Sequence, residues 1–136
     1  MNANKKWVLT ECPKPLIEAM AFNTLLLNLG FSLKNEVFLS VSNKDIVVVL
    51  QAQGKEANFR VGAAEFDNQT MVEYWKRLIK HWNTGGSLSY DEKDQIYLDS
   101  KSIRLLPLVL VELLKLGFII DPTKAEREQK RLLAMN

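Results

Sequence analysis

The chain has 136 residues, 47% apolar and 25% charged, with 18 basic against 16 acidic side chains and a net charge of +2. That length suits one domain with its own core, the composition excludes a disordered chain, and so small a net charge leaves any electrostatic partner to a local patch. A single histidine, His81, and a single cysteine, Cys12, exclude an internal disulfide and leave little for metal-binding or catalytic constellations that need several such side chains at one point.

The lone thiol fits a reducing compartment. Residues 1–10 carry no apolar run of signal-peptide length, and the longest apolar runs, Leu105–Val111 and Ile46–Leu50, fall far short of the roughly 20 residues of a membrane span. The expectation is a cytoplasmic protein with no membrane partner, beginning with an N-terminal arm over residues 1–12.

Pro13 and Pro15 mark the entry to a first helix over Pro15–Leu29, with Pro15 in the first turn, where its missing amide proton is not needed. Gly30 at the position after the cap, and Phe31 packing back on the last turn, would stop it. From Leu16 to Leu29 only Glu18, Asn23, Thr24 and Asn28 are polar. A helix apolar nearly all round is either central to its fold or covered on a second face by a partner.

From Glu36 the period falls to 2, and Val37, Leu39 and Val41 alternate with Phe38, Ser40 and Ser42 in a half-exposed strand. After a turn at Asn43–Asp45, Ile46–Gln53 reads as the strongest strand. Its β-branched Val47, Val48 and Val49 and nearly unbroken apolar run point to a central place with both faces covered. A second tight turn at Gly54–Glu56 leads to a third strand, in which Ala57, Phe59 and Val61 alternate with Asn58 and Arg60. Connections this short require an antiparallel meander.

Phe66 and Asp67 supply a hydrophobic staple and an N-cap for a second helix. Met71, Val72, Trp75, Leu78, Ile79 and Trp82 fall on one of its faces, and Glu73, Lys76, Arg77 and Lys80 on the other. Asn83–Gly86 end it, and the Gly85-Gly86 pair is the expected joint of the chain. Residues 87–102 are polar; Ile96, Tyr97 and Leu98 read as a short strand added to the meander after a turn at Asp91–Asp94. A third helix over Ile103–Leu116 must hold Pro107 near its first turn or kink there, and Gly117-Phe118 repeats the stop at Gly30-Phe31. Asp121 or Thr123 caps a last helix, in which Glu126 pairs with Lys130. Its apolar content, Ala125, Leu132, Leu133 and Met135, is thin, so residues 123–136 are expected to pack weakly on a single compact domain of residues 1–122. The expected class is α+β, an antiparallel sheet of three or four strands packed by helices in the order α-β-β-β-α-(β)-α-α.

No phosphate-binding glycine loop, Gly-x-Ser-x-Gly elbow, Cys-x-x-Cys or His-Glu-x-x-His occurs. No catalytic, cofactor-binding or metal-binding residue is assigned on sequence, and the protein reads as a non-enzyme. His81 has no sequence neighbour to orient it as a general base and reads as a helix-end histidine favoured by the local dipole. Cys12 beside Pro13 reads as an inert thiol. Asp91, Glu92, Asp94 and Asp99 concentrate carboxylates, but Lys93 and Ile96 stand where a calcium loop needs an oxygen ligand and a glycine, so a solvated turn is the better reading. Tyr74, Tyr90 and Tyr97 fit a core as readily as a pocket.

Two binding readings remain. The basic face Lys76, Arg77, Lys80 and His81, joined by Arg60 on the third strand and by Lys124, Arg127, Lys130 and Arg131 of the last helix, offers contacts to phosphates, diluted by Glu126 and Glu128. The apolar excess of the first and third helices, with Leu132 and Leu133 in want of a groove, points instead to a protein partner or to self-association. The sequence therefore reads as a small cytoplasmic accessory or regulatory protein acting by macromolecular binding, with a homodimer as its simplest form. Nucleic-acid binding through the second and last helices is the alternative, and a cofactor-free enzyme comes third.

Overall fold

The computed structural model describes residues 6–8, 14–42, 44–62, 68–89 and 91–134. Along them run β1 (Lys6–Val8), α1 (Lys14–Asn28), β2 (Ser32–Leu39), β3 (Asp45–Ala52), β4 (Lys55–Gly62), α2 (Asn68–Asn83), β5 (Ser87–Ser89), α3 (Glu92–Lys115) and α4 (Pro122–Ala134). The expectations on Cys12, Pro13, Asn43, Phe66, Asp67, Tyr90 and Met135 fall outside the described residues.

Helix α1 is the axis of the fold. Met20, Ala21, Leu25 and Leu26 are fully buried and Ile17 and Ala19 nearly so, because α1 packs against β2, α2, α3 and α4 alike. Its all-round apolar surface is thus covered by its own chain. On one side lies the antiparallel meander β2-β3-β4. Ile46, Val48 and Leu50 of β3, Phe59 and Val61 of β4, and Leu33 and Val37 of β2 join α1 in one core, and Phe22 meets Phe59 edge to face with ring centroids 6.1 Å apart.

The meander departs from the sequence pattern at three points. Strand β2 starts at Ser32, because a bulge sets Lys34, Asn35 and Glu36 opposite Val49 while Leu33 and Val37 both stay inward. Strict alternation is lost there, so the early half of the strand does not read as one. Val41 is fully exposed in the β2–β3 turn rather than inward on a strand. The β3–β4 turn is the pair Gln53-Gly54, with Ala52 facing Lys55. Both turn residues have positive φ, 54° and 76°, the mirror-image turn whose twist matches the strands it joins. The expected fourth strand at Ile96–Leu98 does not exist: those residues belong to α3. The short strand is β5, paired in parallel with β1 as a separate two-stranded sheet.

Helix α3 begins far earlier than the apolar run implied. Asp91 caps it by accepting from the Asp94 amide at 2.8 Å, and Glu92 and Asp94 sit in the first turn, where the helix dipole favours carboxylates. These residues are a helix start, not a solvated turn. Pro107, expected near the first turn, lies in the interior of the 24-residue helix, and its ring is exposed. Helices α1, α2 and α3 all end in the same six-to-one motif: Phe31 bonds back to Leu26, Gly86 to His81, and Phe118 to Leu113, each at 2.9–3.1 Å, around Gly30, Gly85 and Gly117 at positive φ. The aromatic halves of two stops meet, for Phe31 and Phe118 pack edge to face at 4.9 Å.

Helix α2 buries the expected stripe: Met71, Val72, Trp75, Leu78 and Ile79 are inside, Trp82 is half-buried, and Glu73, Lys76, Arg77 and Lys80 face water. Asn83 anchors its end to the bulge of β2, donating from Nδ2 to the Leu33 carbonyl and to Asn35 Oδ1, both at 3.0 Å.

Truncation of Trp75, which is 1% exposed, is expected to cost about 3–5 kcal/mol; a denaturant midpoint unchanged in Trp75→Ala would remove α2 from the core. Asn23, buried in α1 at 1% exposure, has neither amide atom hydrogen-bonded. Asn23→Leu should therefore stabilise the chain by about 1–3 kcal/mol, the desolvation cost of an unsatisfied polar group, read as a higher melting temperature.

Candidate binding surfaces

Helix α4 is held to the end of α1 by a buried carboxylate. Glu128, 4% exposed, accepts from Asn28 Nδ2 with both oxygens, at 3.1 and 3.0 Å. It also accepts from Arg131 Nε at 3.0 Å and Nη2 at 2.7 Å. The pair is bidentate, and a carboxylate so placed is tolerated in the interior because its lone pairs are met by charged and amide donors. The hydrogen bonds to Glu128 hold the Arg131 guanidinium above its already high ordinary pKa, with burial opposing and Asp99 adding attraction. Asp99 is itself buried on α3 and takes a bond from Gln95 at 2.9 Å.

Beside this bridge opens a cleft of about 280 Å³ lined by Asn28, Lys124, Arg127, Glu128 and Arg131. The Lys124 ammonium lies against Gly30, where a Cβ would stand 2.9 Å from Nζ. Asp121 orients the start of α4 by accepting from the Thr123 amide at 2.9 Å. Leu132, expected to need a groove from elsewhere, is buried in the chain's own core, whereas Leu133 is 58% exposed.

A second surface is the outer side of α3. Leu108, Val111 and Leu114 are 65%, 51% and 58% exposed and fall on one stripe at three-residue spacing, with exposed Pro107 beside them. Arg104 and Glu112, four residues to either side of Leu108, pair with no opposite charge among the described residues.

The third surface is the sheet face turned away from the helices. Phe38, Val47 and Arg60 form one row across it and Val49 and Asn58 another. Lys34 bridges Glu36 at 2.9 Å and Glu56 at 3.1 Å, and those two carboxylates, Glu36 first, raise its pKa. Val47 and Val49 are buried on this face yet stand outside the core that the helices share with the sheet; among the described residues Phe38 and Arg60 flank the one and Asn58 adjoins the other.

The sequence-derived basic residues do not converge on one face. Arg60 points out of the open sheet face, whereas Lys76, Arg77 and Lys80 project from α2 on the helical side, Lys76 bridging Glu73 at 3.7 Å. His81 is half-buried at the end of α2. Phe59 and Arg60, adjacent in sequence, point to opposite sides of the sheet, one into the core and one to water. Arg127 and Arg131 do share a site, the α4 cleft. Tyr74 and Tyr97 are half-buried on α2 and α3, respectively. Among the described residues no three His, Cys, Asp or Glu side chains are grouped to hold a metal ion, and no helix is long and apolar enough to cross a membrane. No family model, curated protein or solved structure matches the chain, so its function is argued from these surfaces.

Loss of the buried carboxylate in Glu128→Ala should cost about 1–3 kcal/mol, at the lower end because Arg131, 38% exposed, regains water. Glu128→Gln, which keeps an acceptor for Asn28, should cost less. Equal urea midpoints for Glu128→Ala and the parent chain would show that the bridge contributes nothing.

Proposed function

We propose that the protein is a small accessory or regulatory protein that acts in the cytoplasm by binding another macromolecule, without catalysis of its own, and that the solvent face of α3 is its docking surface. The carrying observation is the stripe of Leu108, Val111 and Leu114, each more than half exposed on a helix whose opposite face is fully buried. Apolar side chains scattered singly on a surface are ordinary, but three on successive turns form a contiguous patch of the kind used in association.

The favoured occupant is a second copy of the chain. An antiparallel pairing of two α3 helices about a two-fold axis through Leu108 brings each Arg104 opposite the Glu112 of the other copy, since the two residues lie equally far from Leu108. An interface built from one surface must be complementary to itself, and this charge pattern is. The two ion pairs would set the register, while Leu108 on the axis and Val111 against Leu105 of the other copy supply the affinity.

Sedimentation equilibrium over a wide concentration range tests this. The parent chain is expected to dimerise, and Leu108→Glu, which sets two carboxylates on the axis, to weaken the dimer about 100-fold or more, as removal of a central anchor does. Arg104→Glu should also weaken it, and adding Glu112→Arg should restore it. A parent chain that stays monomeric to millimolar concentration, or a dimer indifferent to Leu108→Glu, defeats the reading.

Nucleic-acid binding is the second reading. It is supported by Arg77 and Lys80, which face water on α2 with no carboxylate paired to them among the described residues. Its mark would be duplex affinity that falls steeply with salt and is lost in Arg77→Gln with Lys80→Gln.

A further inference from the structure

We propose that the cleft between the end of α1 and α4 is an anion site that receives the phosphate group of a small ligand. The observations are independent of the α3 surface. At about 280 Å³ the cleft falls at the lower edge of small-molecule sites, roughly 300–1,000 Å³, so it suits a compact group rather than a whole nucleotide.

The charge in the cleft is unevenly spent. On the outer side of α4, Lys130 is paired with Glu126 at 3.0 Å, and Arg131 is committed to Glu128 at 2.7 Å. Lys124 and Arg127, one helical turn apart and both lining the cleft, have no carboxylate partner among the described residues. The carboxylate that lines the cleft, Glu128, is saturated by Asn28 and by the fork of Arg131, so it offers little net repulsion to an incoming anion. Two unspent cations face one small cavity whose wall is fixed by a buried bridge.

That arrangement favours a phosphate over a carboxylate. A phosphate monoester carries close to two negative charges and presents several oxygens, enough to engage a guanidinium fork and an ammonium together; a carboxylate carries one charge. At the rim, the Lys124 ammonium lies against Gly30, where a Cβ would stand 2.9 Å from Nζ.

The test is titration of the full chain with inorganic phosphate, a sugar monophosphate, acetate and a short DNA duplex at matched ionic strength, followed by amide shifts of residues 124–131. Saturable binding of phosphate or of the ester, with acetate inert, is expected, and the tighter of the two names the source. Arg127→Gln and Lys124→Gln should each weaken binding about tenfold, the equivalent of one charge-assisted hydrogen bond, with melting temperatures unchanged in anion-free buffer. Arg77→Gln on α2 should leave binding unaltered. An equal response to acetate, binding insensitive to both cleft variants, or duplex binding without any small-phosphate binding overturns the proposal.

Discussion

A helix that has no side to give to water constrains everything around it. Helix α1 carries apolar residues around nearly its whole circumference, and the chain answers by setting a sheet and α2 on one side and α3 and α4 on the other. Each neighbour needs only one apolar face to take part, which is why α2 can be strongly two-sided in sequence while α1 is not. The level at which these layers stop is set by Phe31 and Phe118. Each is the apolar half of a glycine stop, and their edge-to-face contact at 4.9 Å locks the ends of α1 and α3 together. The Gly-Phe echo in the sequence is thus two helix ends that meet in space.

The same corner is tied from the sheet side. Gln53, at the tip of the β3–β4 hairpin, donates from Nε2 to the Ile119 carbonyl at 2.7 Å and accepts from the Ile119 amide at 2.9 Å. Lys55 donates to the Leu116 carbonyl at 3.1 Å and lies 4.6 Å from the ring centre of Phe118. Gln53 adopts a φ of 54°, a conformation uncommon for a residue with a side chain. The amide that satisfies both backbone groups of Ile119 accompanies that strain. Because Ile119 leads directly into α4, the hairpin helps to fix where α4 starts, and so the geometry of the cleft that Lys124 and Arg127 line.

What the sequence made legible follows from how each element spends its polar residues. In α2 the polar and apolar residues separate cleanly, so its buried face could be read at once; in β3 the valine run stood out, and the glycine stops at Gly30 and Gly117 were visible as such. The first half of α3 does not read as a helix because its buried stripe is Leu98, Asp99, Ser102 and Leu106, and a count of apolar periodicity scores Asp99 and Ser102 as surface. Glu128 hid α4's anchoring for the same reason. Polar residues enter a core only with partners, and those partners are remote: Asn28 and Glu128 lie 100 residues apart. The cleft is therefore invisible in the sequence, although Lys124, Arg127 and Arg131 stand out there as basic. The signal available was weak, an acidic residue at the centre of an otherwise basic helix face.

Helices α1 and α3 carry the same sequence signature and meet different fates. Both are apolar on more than one side, and for such a helix the alternatives are a central place in the fold or a second face covered by a partner. The buried positions of α3, from Leu98 to Leu113, span about the length of the 15-residue α1 against which they lie. Leu108 and Val111 fall within that span and Leu114 one residue past it, all on the opposite side, too far round the helix to reach α1. The sheet lies beyond α1, and α4 covers only part of what remains, since Leu114 and Leu133 are both left 58% exposed. Adding a layer would need another helix, and the described residues have no further helix to give. In the proposed dimer a second α3, placed antiparallel about Leu108, would cover Leu108 and Val111 by the same device that covers α1, one helix laid along another.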